Sequence, residues 1–186
     1  MTRPEIVRAL RIAFTTETCV WVRRRFDRRG WRGFVVGMSD DLALLHLVHA
    51  LTLTFNGYLI VRLRDVIDCQ DDTSFVPAAL KLRGERPVPQ LDILLDDIPG
   101  VLSSVGAHFP LMDVLQEKRE APCHVGRITR LDAKRAHLTP LDEDGFWQEP
   151  VAIRFKNITR VHFGDGYNDG LWLVARHRPR PRQENR

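Results

Sequence analysis

Two stretches of this chain read almost alike. Residues 61–69 are VRLRDVIDC and residues 153–161 are IRFKNITRV. Each alternates apolar and basic residues, reaches an Asp or Asn, and resumes with an apolar residue. The step from Val61 to Ile153 is 92 residues. At that step Leu63 meets Phe155, Asp65 meets Asn157, Val66 meets Ile158 and Phe75 meets Tyr167. Alternation with period two places Val61 and Leu63 on one face of a strand and Arg62 and Arg64 on the other. A polar break followed by a short return is what a strongly curved antiparallel sheet requires. A chain that repeats this phrase is constrained to build a similar bent unit twice.

The rest of each half supports that expectation. Upstream the step drifts by a few residues. LLHL (44–47) matches RAHL (135–138), which sets His46 against His137, and Gly37 stands against Gly126. Each half carries an Asx-Gly pair, Asn56-Gly57 and Asp144-Gly145, and such pairs favour tight hairpins because both turn positions need positive φ. Each half opens on a helical pattern. Residues 4–14 begin with Pro and place Ile6, Val7, Leu10 and Phe14 at helical spacing, while 98–108 is a poorer version weakened by Gly100 and Gly106. Strand-like segments follow at 18–26, 33–40, 42–49 and 58–69, and again at 111–118, 123–132, 136–142 and 151–163. A helical patch closes each half, at 74–82 and 168–176. The expected fold is mainly β with short helices: two tandem Sm-like or SH3-like small barrels related by internal duplication. The expected boundaries are 1–84 for the first barrel with its N-terminal helix, 85–97 for a linker, 98–176 for the second barrel and 177–186 for a disordered Arg/Pro tail.

The phrases WRGFVVGMSDDLALLHLV, FNGYLIVRLRDV, GRITRLD and LDEDGFWQEPVAIRFKNITRVHFGDGYNDGL resemble phrases that recur in a bacterial family of uncharacterised tandem Sm-like/SH3-like barrel proteins. The resemblance covers most of the chain. It implies the barrel fold and a bacterial source, and it brings no activity. The chain departs from Sm proteins in lacking the glycine–asparagine signature with which they hold uridine.

Composition narrows the functional classes. Hydrophobic content of 44% and charged content of 28% belong to a globular chain. The longest apolar stretch, DLALLHLVHALTL (41–53), is too polar to span a bilayer, and no leader pattern opens the chain. The expectation is a cytoplasmic protein with no membrane contact. The three Cys are an odd number without a C-x-x-C, which rules out a disulfide framework and a Cys-rich zinc site. They are expected to be buried thiols. The net charge of +4 resides in residues 174–186, with five Arg and one Glu, so the remainder is neutral. A neutral body argues against a broad phosphate-binding surface.

The sharpest local feature is RRRFDRRGWR (23–32), in which six Arg surround Phe26 and Trp31. Arginines interleaved with aromatics grip phosphates and stack on bases, so Arg23, Arg24, Arg25, Arg28, Arg29, Trp31 and Arg32 are the candidate nucleic-acid contacts. The competing reading is a hairpin turning at 28–30, whose alternate Arg face solvent at a sheet edge. Among the His, His46 and His49 face opposite sides of one strand. His124, His137 and His162 lie on three strands with no supporting carboxylate spacing. No metal or cofactor is expected. The Asp pairs at 40–41, 71–72 and 96–97 read as turn and cap residues. The GDGY segment (164–167) reads as a turn that ends the second barrel, with Tyr167 packing as Phe75 does. Without a Walker loop, G-x-G-x-x-G, G-x-S-x-G or H-E-x-x-H, no catalytic residue is nominated. The expected function is non-catalytic binding or scaffolding through protein–protein contacts. The halves are expected to dock on each other, or on a second copy, as an internal version of a symmetric dimer. The alternatives are nucleic-acid binding through residues 23–32 and the basic tail, and an enzyme of unrecognised type with a deep pocket.

Overall fold

The computed structural model describes residues 1–49, 51–88, 92–117 and 123–178. Helix α1 (Arg3–Thr16) leads to β1 (Cys19–Arg24), β2 (Trp31–Met38), β3 (Leu42–His49), β4 (Thr54–Arg62) and β5 (Val66–Asp71), then α2 (Val76–Leu82). Helix α3 (Ile98–His108) leads to β6 (Met112–Leu115), β7 (His124–Leu131), β8 (Arg135–Pro140), β9 (Val151–Arg154) and β10 (Arg160–Phe163), then α4 (Gly166–Ala175). The polar break lies where the repeated phrase places it. One turn of 3-10 helix separates β4 from β5 at Leu63–Asp65 and β9 from β10 at Phe155–Asn157.

The ten strands of the described residues join one antiparallel sheet in the order β5-β1-β2-β3-β4-β10-β6-β7-β8-β9. The sheet is open, with β5 and β9 at its ends. Registers in the two halves run in parallel. Gly33 pairs with Leu47 and Val35 with Leu45; 93 residues later Gly126 pairs with Pro140 and Ile128 with Leu138. Both ladders then slip by one residue and resume at Gly37–Leu44 and Arg130–His137. Ala43 stands opposite Val61, and Ala136 opposite Ile153.

The glycines explain part of this correspondence. A Cβ on Gly33 would lie 2.5 Å from the His46 carbonyl oxygen, and one on Gly126 would lie 2.3 Å from that of Thr139. Both positions bring neighbouring strands too close for any side chain. The expected matches of Gly37 with Gly126 and of His46 with His137 are therefore corrected. Gly33 holds the position corresponding to Gly126, and Thr139 that of His46. Shared letters misled the alignment, and backbone crowding resolves it.

The two Asx-Gly pairs also part company. Asp144-Gly145 turns the chain between β8 and β9, with Gly145 at φ 80 and its N–H donated to the Asp142 carbonyl at 3.1 Å. Asn56-Gly57 is not a hairpin. It lies inside β4 at a bulge opposite β3, and the turn falls just before it, where Leu53 has φ 53. Gly57, at φ 76, is needed because a Cβ there would come within 2.7 Å of the Phe163 carbonyl oxygen. The pair serves contact between the halves.

Burial divides the core into two large clusters and one small one. Ile6, Leu10 and Ala13 of α1 pack on Val20, Val22, Val35, Leu45, Leu59, Val61 and Cys69. Val101, Leu102 and Val105 of α3 pack on Met112, Val114, Leu138, Ile153, Val161 and Phe163, and that cluster runs on to Phe34, Leu42, Leu44 and Ile60 of the first half. The glycine-weakened helix at 98–108 forms because its apolar face is fully buried and Asp97 caps it, accepting from the Gly100 N–H at 2.8 Å. A smaller cluster sets Leu171 and Ala175 of α4 on Leu111 and Leu141. Phe75 and Tyr167 are both exposed, at 69% and 58%, so the expectation that Tyr167 packs is corrected. The helices they begin turn Val76 and Leu80, or Leu171 and Ala175, inward instead. Cys19 and Cys69 are buried as expected, and Cys123 is exposed. No helix of the described residues is long and apolar enough to cross a membrane. The Arg/Pro tail lies outside the described residues from residue 179 onward.

Candidate functional site

The RRRFDRRGWR segment forms the end of the β1–β2 hairpin, with its turn between Arg24 and Trp31. Both strands are internal to the sheet, so the segment is not the sheet edge expected of it. Its charges are divided among acidic partners. Arg23 lies 3.8 Å from Asp68 and Arg25 lies 3.4 Å from Asp65. Arg32 lies 2.8 Å from Asp72 and stacks 4.6 Å from the Trp21 ring. Arg28 and Arg29 remain exposed at the turn.

Arg24 is fully buried. Its guanidinium donates to Asp27 at 2.7 and 3.0 Å, to Glu117 at 2.6 Å and to the Thr159 carbonyl at 3.4 Å. Burial alone would lower the Arg24 pKa, but its hydrogen bonds to the Asp27 and Glu117 carboxylates carry it above the ordinary arginine value. The same bonds, with one from the Thr159 hydroxyl, hold the Glu117 carboxyl below its usual range against burial. Arg160 approaches Glu117 at 3.7 Å and covers the Trp31 ring at 4.9 Å. One hairpin end of the first half is thus bolted to β6 and β10 of the second. Glu117 lies 93 residues from Arg24, and no local pattern could have revealed the pairing.

A second polar cluster lies one step along β10. His162 Nδ1 is 3.2 Å from Asp113 and 3.1 Å from Asp165. The other Asp165 oxygen caps α4, accepting from the Tyr167 and Asn168 N–H groups at 2.8 and 3.0 Å. One imidazole nitrogen and two carboxylates, all within 4.8 Å of one another, form a donor set able to hold a divalent cation. An Nδ1–H shared between the carboxylates satisfies the same geometry. His124 and His137 do not join this group; His137 faces Asp132 at 3.1 Å.

His46 fills an aromatic ladder across the seam, stacked 4.1 Å from Phe55 and 4.3 Å from Tyr58, with Tyr58 5.5 Å from Phe163. Its Nδ1 accepts from the Val88 N–H at 3.2 Å, and burial lowers its pKa to about 4.

Strand β4 pairs with β10 in the register Val61–Arg160, Ile60–Val161, Leu59–His162 and Tyr58–Phe163. Arg62 reaches past the last pair to donate to the Ile158 carbonyl at 2.6 Å and the Phe155 carbonyl at 2.8 Å. The dock joins the fourth strand of one half to the fifth of the other. It is head-to-tail, which corrects the expected internal version of a symmetric dimer. An open groove of about 700 Å³ runs along the outer side of α1, lined by Arg3, Val7, Arg8, Arg11 and Ile12, and none of its described lining residues is acidic. Compared with known proteins, the chain matches no family model, no curated protein and no solved structure.

Proposed function

We propose that the chain is a non-catalytic scaffold of two tandem Sm-like or SH3-like barrels, 1–84 and 98–176, arisen by duplication and acting through protein contacts of its strand edges. The repeated registers, bulges and crowded glycines support the duplication, as does the setting of Val61 under α1 and of Ile153 under α3. In this reading each half curls its five strands around its own helix. Free thiols favour a cytoplasmic setting.

The observation that carries the proposal is the β4–β10 junction. A head-to-tail contact leaves its two complementary surfaces free at the ends, and those ends are β9 and β5. Arg154 stands 92 residues after Arg62 and is exposed, without the carbonyl partners that Arg62 has. Transferring the junction by 92 residues sets Val151 opposite Gln70 and Ala152 opposite Cys69 of a second copy. Arg154 then reaches the Leu63 and Val66 carbonyls of that copy. The β5 edge carries Asp68 and Asp71, and the β9 edge carries Arg154, so the two are complementary in charge.

Light scattering on the eluting full-length protein tests this. A mass above one chain that rises with concentration, and falls to one chain in Arg154→Glu, supports the scaffold. A single-chain mass throughout counts against it. The nucleic-acid reading of the Arg23–Arg32 segment retains Arg28 and Arg29 as its free contacts, and their alanine variants in a binding assay measure what the segment contributes.

A further inference from the structure

The outer face of β7, β8 and β9 differs in character from its counterpart in the first half. In the first half the corresponding face is apolar and covered. Phe34, Leu42 and Leu44 are 8%, 2% and 2% exposed, packed in the cluster that contains α2 and α3. The residues 93 positions later are Arg127, Arg135 and His137, and Arg130 replaces Gly37. Arg127, Arg130 and Arg135 are exposed. The registers put them on one face: Arg127 opposite Thr139, Arg130 opposite His137 and Arg135 opposite Arg154. Lys134, in the turn before β8, is also exposed.

These arginines form no ion pair of their own, although Arg130 donates to His137 Nε2 at 2.9 Å and His137 in turn faces Asp132. Among the described residues no carboxylate lies within ion-pair distance of Arg127, Arg130, Arg135 or Arg154. The nearby Asp132 is occupied by the His137 ring and by the Lys134 and Arg135 N–H groups at 2.9 and 2.7 Å. Arg135 and Arg154 stand directly opposite each other, an arrangement that destabilises a sheet unless an anion lies between them. At one border the Trp172 ring of α4 lies 5.2 Å from the Arg127 guanidinium.

From this we infer that the β7–β9 face binds the phosphate backbone of a single-stranded nucleic acid. Strand spacing sets neighbouring cations about 5–10 Å apart, which suits a row of phosphates better than one small anion. Every cation on the strands is an arginine, whose fork matches phosphate oxygens. Trp172, half-buried and covered on one side by the Arg127 guanidinium, borders the row. A protein interface would instead place charges at the rim of an apolar centre, and this face has no such centre. The overall neutrality of residues 1–173 conceals the face, because acids elsewhere on the fold balance it. Arg154 belongs to both this face and the edge-pairing proposal, but Arg127 and Arg130 lie away from the β9 edge and test the inference separately.

The test is fluorescence anisotropy of labelled oligo(U) and oligo(dT) with the full chain across a salt series. The wild type should bind with salt-dependent affinity. The variant Arg127→Ala/Arg130→Ala/Arg135→Ala should bind at least tenfold more weakly, with the log–log salt slope reduced by about 2 for three lost phosphate contacts. Arg28→Ala/Arg29→Ala should bind within about threefold of wild type. Tighter binding of oligo(U) would identify RNA as the strand, and equal binding would show that the backbone alone is read. Trp172→Phe should lose the fluorescence quenching that accompanies binding while keeping the salt slope. Circular dichroism checks that each variant is folded. Absence of binding by wild type, binding unchanged in the triple variant, or equal competition by poly-glutamate would each overturn the inference.

Discussion

Arg62 of β4 donates its Nε to the carbonyl of Ile158 across the junction between the two halves, at 2.6 Å. A second bond from the same guanidinium reaches the Phe155 carbonyl at 2.8 Å. These are charge-assisted bonds to backbone groups at the point where the second half bends from β9 into β10. Arg62→Ala should cost about 2–4 kcal/mol, two bonds to a charged donor. Arg62→Met, which keeps the stem and loses the donors, should recover little of it. Urea unfolding of both variants measures the loss. A cost under about 0.5 kcal/mol would show that the bonds do not hold the junction.

The crowded glycines predict paired effects. Gly33→Ala and Gly126→Ala should each destabilise by about 1–3 kcal/mol, because a methyl group at either position is driven into a neighbouring backbone. Gly170→Ala in α4 meets nothing within 4 Å and should stabilise by up to about 1 kcal/mol through helix propensity. Thermal melts of the three variants check the contrast. Similar melting temperatures for all three would remove the steric account of the register.

His46 makes stability depend on pH. Its folded-state pKa is lowered from 6.5 to about 4 because burial between Phe55 and Tyr58 disfavours the charged ring. The unfolded chain therefore binds the extra proton first as pH falls. The contribution is fully present above pH 6.5 and is lost progressively between 6.5 and 4. Its size is on the order of 2–3 kcal/mol. His46→Phe should flatten the stability profile across that window. An unchanged slope would assign the pH dependence to other groups.

Arg24 and Arg28 sit in one basic phrase yet should respond very differently. Arg24→Ala leaves Glu117 and Asp27 without their buried partner and should cost about 3–5 kcal/mol. Arg28→Ala, at an exposed turn, should stay within about 0.5 kcal/mol. Chemical denaturation separates them.

Much of the fold was legible because its signals are local. Period-two runs located most strands, and the polar break at Asp65 and Asn157 located both 3-10 turns. Pro4 and the residues after it marked α1. What escaped depends on contacts distant in sequence. Asn56-Gly57 has hairpin chemistry, but Phe163, 106 residues beyond Gly57, makes it a bulge at a junction. Arg24 reads as one of six like charges until Glu117 arrives from the segment just after β6. The arginines of β7, β8 and β9 are scattered singly along the chain and gather only when the three strands lie side by side. Pairing of β4 with β10 leaves no trace in either segment alone, because any exposed strand edge offers the same backbone groups.

The most direct test of the central claim is a register-specific cross-link. In a Cys123→Ser background, the double variant Val151→Cys/Gln70→Cys places its thiols opposite each other only if β9 of one copy pairs with β5 of the next in the β4–β10 register. Mild oxidation should yield disulfide-linked multimers on a non-reducing gel, absent from either single variant and blocked by Arg154→Glu. A double variant that remains a single chain, under conditions where both thiols are shown to be accessible to a small alkylating reagent, would contradict the account.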